Sequence, residues 1–470
     1  MVIIMEILKI DDVLKLNVNE LNGDFIVFDL KDVIGILKHK LSGLKRIYTL
    51  KKPNAEEYRI TEARGEIYAL ETGIFKIYNF VKKYPNMLKF EDIDKMKEIM
   101  QIGDEMGFTG ITIGASVRQI WQRDFGGYKY TNGKFNTLNM KDWTEKEWEF
   151  AEGSMAGGIC LINPAYKGVI LKYVKCDDFN SHYPSIARNF ALPYGRGQFF
   201  DSEEDYKNQA LYNKAIYLIY IYDMKVNDDK IATYGIKDND DIVYKNRLKD
   251  IQVYIWEEEL EDLKRDYKIT YEVVKILAFK SRRGIFDGFI DYFYGLKSKL
   301  EKGIKRDFCK LAINNLLGKF GTKRYMVSEG ENGDLKVNEN DKYYMPLFSY
   351  ITAIGRVLLR KNIRLLYDVK RDFVYCDTDS IWYLGDEIYA VDDVKLGFLK
   401  AEHRVDAFIS LGTKKYAYIE NNEIKMTVSG FTGDSVEKIE DFKKGTILKN
   451  IVKKRYDDAL PKYIIEDYKL

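Results

Sequence analysis

The sequence predicts an α+β fold with a mixed α/β amino-terminal domain, on three observations. Short apolar runs such as Phe25-Ile26-Val27-Phe28 alternate with helix-spaced stretches such as 67–82 over the first 150 residues. Residues 201–280 are rich in strand formers and charge. Residues 286–320 carry the spacing of two helices joined by a turn at Glu301-Lys302-Gly303. The 470 residues are enough for two to four domains.

In order along the chain, residues 155–200 hold a Gly-rich turn and a strand, Gly168 to Cys176, running into Asp178. Within the strand-rich region the run Ala215 to Tyr222 is an apolar segment, and Trp256 to Tyr267 has helical spacing. Residues 325–338 resemble a hairpin tipped by Glu331-Asn332-Gly333-Asp334. Residues 343–412 return to strand and helix, and 414–470 are basic and aromatic.

Composition excludes several classes. A net charge of +2 means that any nucleic-acid affinity comes from local basic surfaces. Cys160, Cys176, Cys309 and Cys376 show no Cys-x-x-Cys spacing, and His39, His182 and His403 are scattered, which argues against zinc. Free thiols fit a reduced, cytoplasmic setting. The opening Met1-Val2-Ile3-Ile4-Met5 is cut by Glu6 without a basic flank, unlike a signal peptide. Ala215 to Tyr222 falls far short of the roughly 18 residues of a membrane span, so no membrane partner is expected.

Three separated segments carry chemistry. In Phe373-Val374-Tyr375-Cys376-Asp377-Thr378-Asp379-Ser380-Ile381-Trp382-Tyr383-Leu384, apolar residues flank a polar knot, as in two strands joined by a tight turn. Two carboxylates that close repel, so they need a counter-charge or a shared proton. Mg²⁺ suits them, because it takes carboxylate oxygen and keeps other positions for water and phosphate; a solvated hairpin tip is the plainer reading. Asp178 stands at a strand end before a helix entered at Pro184, a place suited to metal-bound phosphate. A simple helix cap by Asn180 or Ser181 accounts for the same residues. Finally, Arg306, Lys310, Asn314 and Leu317 share one helix face, and Lys297, Lys299, Lys302 and Lys305 lie nearby. They form either a triphosphate-binding face or a solvated charged helix.

Together these segments resemble the motif set of family B DNA polymerases, most closely the protein-primed bacteriophage branch. The matching stretches are Asp178-Phe179-Asn180-Ser181-His182-Tyr183-Pro184-Ser185, Lys310 to Gly318, Tyr375 to Ser380, and Lys414-Lys415-Tyr416. The resemblance covers about residues 154–470. It implies a right-hand architecture: palm with an antiparallel sheet, two-helix fingers and a small thumb. The implied divisions are 1–150, a degenerate exonuclease-like or replaced domain; 151–200 and 343–413, palm; 201–285, an insertion contacting priming protein and DNA; 286–324, fingers; 325–342, a short hairpin insertion; and 414–470, thumb.

The implied activity is template-dependent addition of deoxynucleotides to a primer 3′ end by two-metal phosphoryl transfer, in viral or mobile-element replication. Asp178, Asp377 and Asp379 would be the catalytic carboxylates, and Asp178, Asp379 and the Phe179 carbonyl would hold two Mg²⁺ ions, with Mn²⁺ able to substitute. Tyr183, Lys297, Arg306, Lys310 and Asn314 would bind the nucleotide, Tyr183 as a steric gate against a 2′-hydroxyl. Gly157, Gly158, Thr378, Lys414 and Tyr416 would contact DNA. Implied partners are primer–template DNA, dNTPs, a priming protein and a separate exonuclease or processivity factor; the implied location is the host cytoplasm.

The chain departs from the family pattern in places. A Tyr-x-Gly-Gly motif appears as Met155-Ala156-Gly157-Gly158. The exonuclease Asp-x-Glu is approached only by Asp29-Leu30-Lys31, and a lysine cannot ligate Mg²⁺. Proofreading is therefore expected to be absent. Leu317 replaces a tyrosine and Asn315 a serine, which points to lower base discrimination or a nucleotide preference unlike that of relatives; His182 replaces a leucine. Two other readings stay open: a non-catalytic palm-fold protein that binds DNA, and a primase or translesion-type polymerase.

Overall fold

In the computed structural model, the described residues are 93–110, 113–131, 137–238, 241–329, 341–387, 389–429, 436–457 and 460–470, with short strands at 23–27, 44–49, 68–71, 89–90, 335–339 and 431–432. The centre is a seven-stranded antiparallel sheet. Its order is Glu423–Val428, Lys415–Glu420, Leu399–Gly412, Leu171–Phe179, Ser380–Tyr383, Phe373–Asp377, Cys160–Ile162. Phe373-Val374-Tyr375-Cys376 is buried throughout because both faces of this strand are covered. One face packs Phe373, Cys376, Ile381 and Tyr383 against Leu359 and Ile363 of the helix Met345–Leu365. The other gathers Val374, Tyr375, Trp382, Val405 and Phe408.

A second antiparallel sheet, in the order Arg247–Trp256, Lys214–Val226, Tyr267–Arg282, Leu192–Phe200, is built from the region expected to be strand-rich. Ala215–Tyr222 is a strand, and the helical spacing after Trp256 becomes the short helix Glu257–Leu263. That helix is bound to Met345–Leu365 by a buried ladder of charges. Glu259 pairs with Arg356 and Arg360 at 2.5 and 3.0 Å, Asp262 with Arg360 and Arg364 at 2.7 Å, and Asp266 with Arg364 at 2.8 Å.

The helices Asp287–Lys299 and Ile304–Phe320 pack on one another, joined across the predicted Glu301-Lys302-Gly303 turn. Tyr325–Glu329 and Leu335–Glu339 pair as an antiparallel hairpin, and its tip lies outside the described residues. Near the amino terminus, Tyr68–Glu71, Leu44–Thr49, Gly23–Val27 and Lys89–Phe90 form a parallel sheet.

One expectation needs correction. The helix expected over 67–82 does not hold at Tyr68–Glu71, which is a strand paired with Arg46–Thr49; partner pairing overrides local spacing here. The central sheet continues past residue 413. It runs on to Val428, because Tyr416 and Tyr418 alternate inward onto Trp382 and Phe408. The segment Asp29-Leu30-Lys31 lies outside the described residues.

Candidate active site

The hairpin between Asp377 and Ser380 has a two-residue loop, Thr378-Asp379. Thr378 takes φ 63°, a positive value that suits the twist of such a loop but strains a β-branched residue. The surroundings hold it there. The Thr378 N–H donates to the Ile159 carbonyl at 2.8 Å, and the Asp379 N–H donates to the Asp377 carbonyl at 2.6 Å. Gly158 lies so close that a Cβ would meet the Thr378 Cα at 2.8 Å, whereas a Cβ on Gly157 would find nothing within 4 Å. Arg356 Nη1 donates to the carbonyls of Ala156 and Gly157 at 2.7 and 2.9 Å, tying this loop to the buried charge ladder.

Strand register brings the second segment alongside. Asp178 sits opposite Ser380 on one neighbouring strand and opposite Lys400 on the other. Side chains alternate along a strand, so Asp177 and Asp178 face opposite ways. Asp177 is buried against Arg404 at 2.9 Å and accepts from the Tyr383 hydroxyl at 2.8 Å. Asp178 instead opens into a cavity of about 280 Å³ that Asp379 also lines. The Phe179 N–H donates to the Asp379 carbonyl at 2.9 Å, locking the two segments together.

After Phe179 the chain enters the helix His182–Asn189, two residues before the expected start at Pro184. Neither cap reading holds. Ser181, at φ 52°, makes no side-chain cap bond, and its hydroxyl accepts from Lys297 Nζ at 3.1 Å. The Asn180 side chain donates to the Asp392 carbonyl at 2.8 Å. His182 is buried, stacked on Phe179 at 4.3 Å with Nε2 3.2 Å from the Gly355 carbonyl; burial drops its pKa to about 4, so the ring is neutral. Tyr183 is half-buried beside it and lines the cavity.

The far wall comes from the two packed helices. Lys297, Lys310, Asn314 and Leu317 all reach the cavity, as does Lys400 from the sheet. The electrostatics are polarised. Burial, then Asp379 and Glu402, push Asp178 up to about 7 against the opposing pull of Lys400. Burial, then Asp377 and Glu402, push Asp379 up to about 6. On the opposite wall, burial and then the charges of Lys310, Arg306 and Lys400 lower Lys297 to about 8. Crowded acids thus face crowded cations across a space the size of a small ligand group.

The remaining expected residues lie apart. Asp377 does not line the cavity; both its oxygens are 2.7 Å from Lys414 Nζ. Lys414 is set in place at φ 54° by its N–H bond to the Tyr375 hydroxyl at 3.0 Å. Tyr416 is partly buried, its ring 5.3 Å from that of Tyr375. Arg306 stays off the cavity wall and acts on Lys297 by charge alone. Lys400 and Glu402 escaped the sequence reading because neither belongs to a local motif; only strand pairing brings them to Asp178.

Among the described residues, no group of three or more His, Cys, Asp or Glu side chains is arranged to hold a metal. Asp178 and Asp379 nonetheless suit a hard divalent cation. They are an oxygen-only pair with too little positive charge beside it, which fits an ion that completes its shell with water and phosphate rather than a closed protein cage.

The sequence profile described as "DNA polymerase type B, organellar and viral" matches residues 92–381. The chain belongs to that family. Curated relatives in this family include the DNA polymerase of Bacillus phage phi29, 27% identical over 384 residues, and that of Bacillus phage Nf, 25% identical over 387. Each alignment covers 76% of this chain and 63% of the relative, so the chain matches somewhat less than two thirds of these polymerases' length. Among solved structures, phi29 DNA polymerase complexed with primer-template DNA and incoming nucleotide substrates superposes with a TM-score of 0.66, and its post-translocation binary complex with 0.68. Both are 20% identical and cover 94% of this chain and 93% of the other. At that identity the likeness establishes a shared fold, the α+β polymerase architecture. Among the described residues no helix is long and apolar enough to cross a membrane.

Proposed function

We propose that this family B chain is a DNA-directed DNA polymerase that extends a primer 3′ end by phosphoryl transfer, with primer–template DNA and dNTPs as substrates and two Mg²⁺ ions as cofactors. The observation that carries this reading is the single cavity in which Asp178 and Asp379 face Lys297 and Lys310, with Tyr183 in its wall. Divalent ions bound to Asp178 and Asp379 would activate the primer hydroxyl and neutralise the triphosphate. The chain's own residues mostly position the reactants and stabilise charge.

Lys310 and Lys297 are compact point charges that would meet the phosphate oxygens. Tyr183, wedged against His182, would stand under the sugar and collide with a 2′-hydroxyl. Asp377, neutralised by Lys414, would hold the turn and the primer end rather than a cation. Gly157 and Gly158 would border the DNA, and Asn314 the new base pair. We further propose that proofreading is absent, on the strength of Lys31 standing where a metal-binding glutamate is needed.

Primer extension tests the reading. Wild type should extend a primed template in Mg²⁺, and Asp178→Asn and Asp379→Asn should each lose at least about a hundredfold in rate, the order of magnitude for removing a charge-stabilising group from such a site. Extension at wild-type rates by both variants refutes the assignment and leaves a DNA-binding role.

A further inference from the structure

Resting on that reading of the cavity, one contact asks for a role of its own. Lys400 Nζ lies 3.2 Å from Asp178 Oδ2 and 3.3 Å from Glu402 Oε1. Its place is set by the fold: Lys400 is directly opposite Asp178 in the antiparallel ladder, and facing residues of such a pair project to the same side. The ladder slips between Ala401 and His403, so Glu402 is the extra residue of a bulge. Bulges re-aim side chains, and here the Glu402 carboxylate also reaches the ammonium. Among the described residues, Lys400 makes the only ion pair with either Asp178 or Asp379. Lys297, across the cavity, is engaged with the Ser181 hydroxyl instead.

We propose that Lys400 is a tethered counter-charge for the Asp178–Asp379 pair, standing where a divalent cation would neutralise it and turning its ammonium toward the triphosphate when cation and nucleotide enter. A lysine suits this exchange. Its charge is a point on a flexible stem, and its donors re-form in any direction, unlike the rigid guanidinium fork. The stem is anchored in the sheet, Glu402 offers the ammonium a second carboxylate besides Asp178, and the ammonium already lines the cavity that would receive the phosphates. Two consequences follow. A divalent cation arriving alone has to displace Lys400, so it binds weakly. A cation arriving with a nucleotide meets no such opposition, because the ammonium gains phosphate oxygens, so the two ligands bind cooperatively through this side chain.

The test is equilibrium binding of Mn²⁺, followed by the paramagnetic resonance of the free ion, on a dideoxy-terminated primer–template with and without dCTP. Lys400→Met keeps the aliphatic stem and removes the charge; Lys400→Ala removes both; Lys400→Arg keeps a charge. Without nucleotide, the Met and Ala variants should bind Mn²⁺ about fivefold more tightly than wild type, the value of a partly exposed ion pair near 1 kcal/mol. The enhancement of Mn²⁺ binding by dCTP should shrink by a similar factor in the Met and Ala variants, and the Arg variant should stay near wild type in nucleotide-free binding. Unchanged or weaker nucleotide-free Mn²⁺ binding in both the Met and Ala variants overturns the proposal. Asp379→Asn separates the two layers of argument. If it loses Mn²⁺ binding and extension while the Lys400 variants bind as wild type, the polymerase reading stands and the counter-charge role falls. If it loses neither, the cavity itself is misassigned.

Discussion

Neutralising Glu259 should unfold the joint between the two sheets and slacken the turn between Asp377 and Ser380 together. The Glu259 side chain is 4% exposed and Arg360 1% exposed, so both charges depend on each other rather than on water. Glu259→Gln keeps the shape but leaves Arg356 and Arg360 sharing one buried carboxylate fewer. Breaking one arm of a buried pair costs about 3–5 kcal/mol. With about 2–4 °C lost per kcal/mol in a unit of 150–250 residues, the melting temperature should fall by about 6–20 °C. The exposed Lys264–Glu261 pair on the same helix supplies the control, since Lys264→Gln should change stability by less than about 1 kcal/mol.

The pH dependence has a defined sign. Burial alone would raise the Glu259 pKa, but Arg356 and Arg360 overcome it and hold the group at about 2, below its ordinary 4.5. The stability it contributes is therefore full above pH 4.5 and is lost as the pH falls toward 2. The variant should show a flatter stability curve across that window. Differential scanning calorimetry with a pH series reads both quantities. A Glu259→Gln protein that melts within 2 °C of wild type at neutral pH, with the same acid limb, would refute the claim that this ladder joins the sheets.

Two further substitutions probe the turn and the proposed role of Tyr183. Gly158→Ala places a Cβ 2.8 Å from the Thr378 backbone and should sharply reduce extension at little change in melting temperature, whereas Gly157→Ala enters open space and should extend normally; equal rates for the two would show that the close approach does not matter. Gly355→Ala sets a Cβ 2.9 Å from Tyr183 Cε1 and 3.1 Å from His182 Nε2, so Tyr183 must shift, and incorporation of ribonucleotides relative to deoxynucleotides should rise several-fold in competition assays. An unchanged ratio would remove His182 and Gly355 from any part in setting that tyrosine.

What could be read from the sequence was what chemistry concentrates locally. The hairpin around Asp377-Thr378-Asp379 announces itself because apolar strands and a polar loop are adjacent in the chain, and the structure pairs Asp377 with Ser380 across it. The two helices around Gly303 were legible for the same reason. The backbone conformations were not: Thr378 and Ser181 both take positive φ, which no residue preference announces and which only the packed surroundings enforce. Nor was the 68–71 strand, whose identity depends on its partner at 46–49.

The counter-charges show this division most clearly. Three of the four carboxylates of the motif region have a cationic neighbour brought beside them by sheet pairing: Arg404 for Asp177, Lys400 for Asp178, Lys414 for Asp377. All three cations come from the Leu399–Gly412 strand or the turn that follows it, well beyond Tyr383 in the chain. Asp379, at the tip of the loop, has no ion pair among the described residues, and it is the carboxylate whose charge repels that of Asp178 beside it. A strand that supplies cations to three acids and leaves the fourth open sets where a further positive charge is wanted. The sequence names the acids, but only the register, which sums contacts over both strands, decides which of them remains available to a ligand.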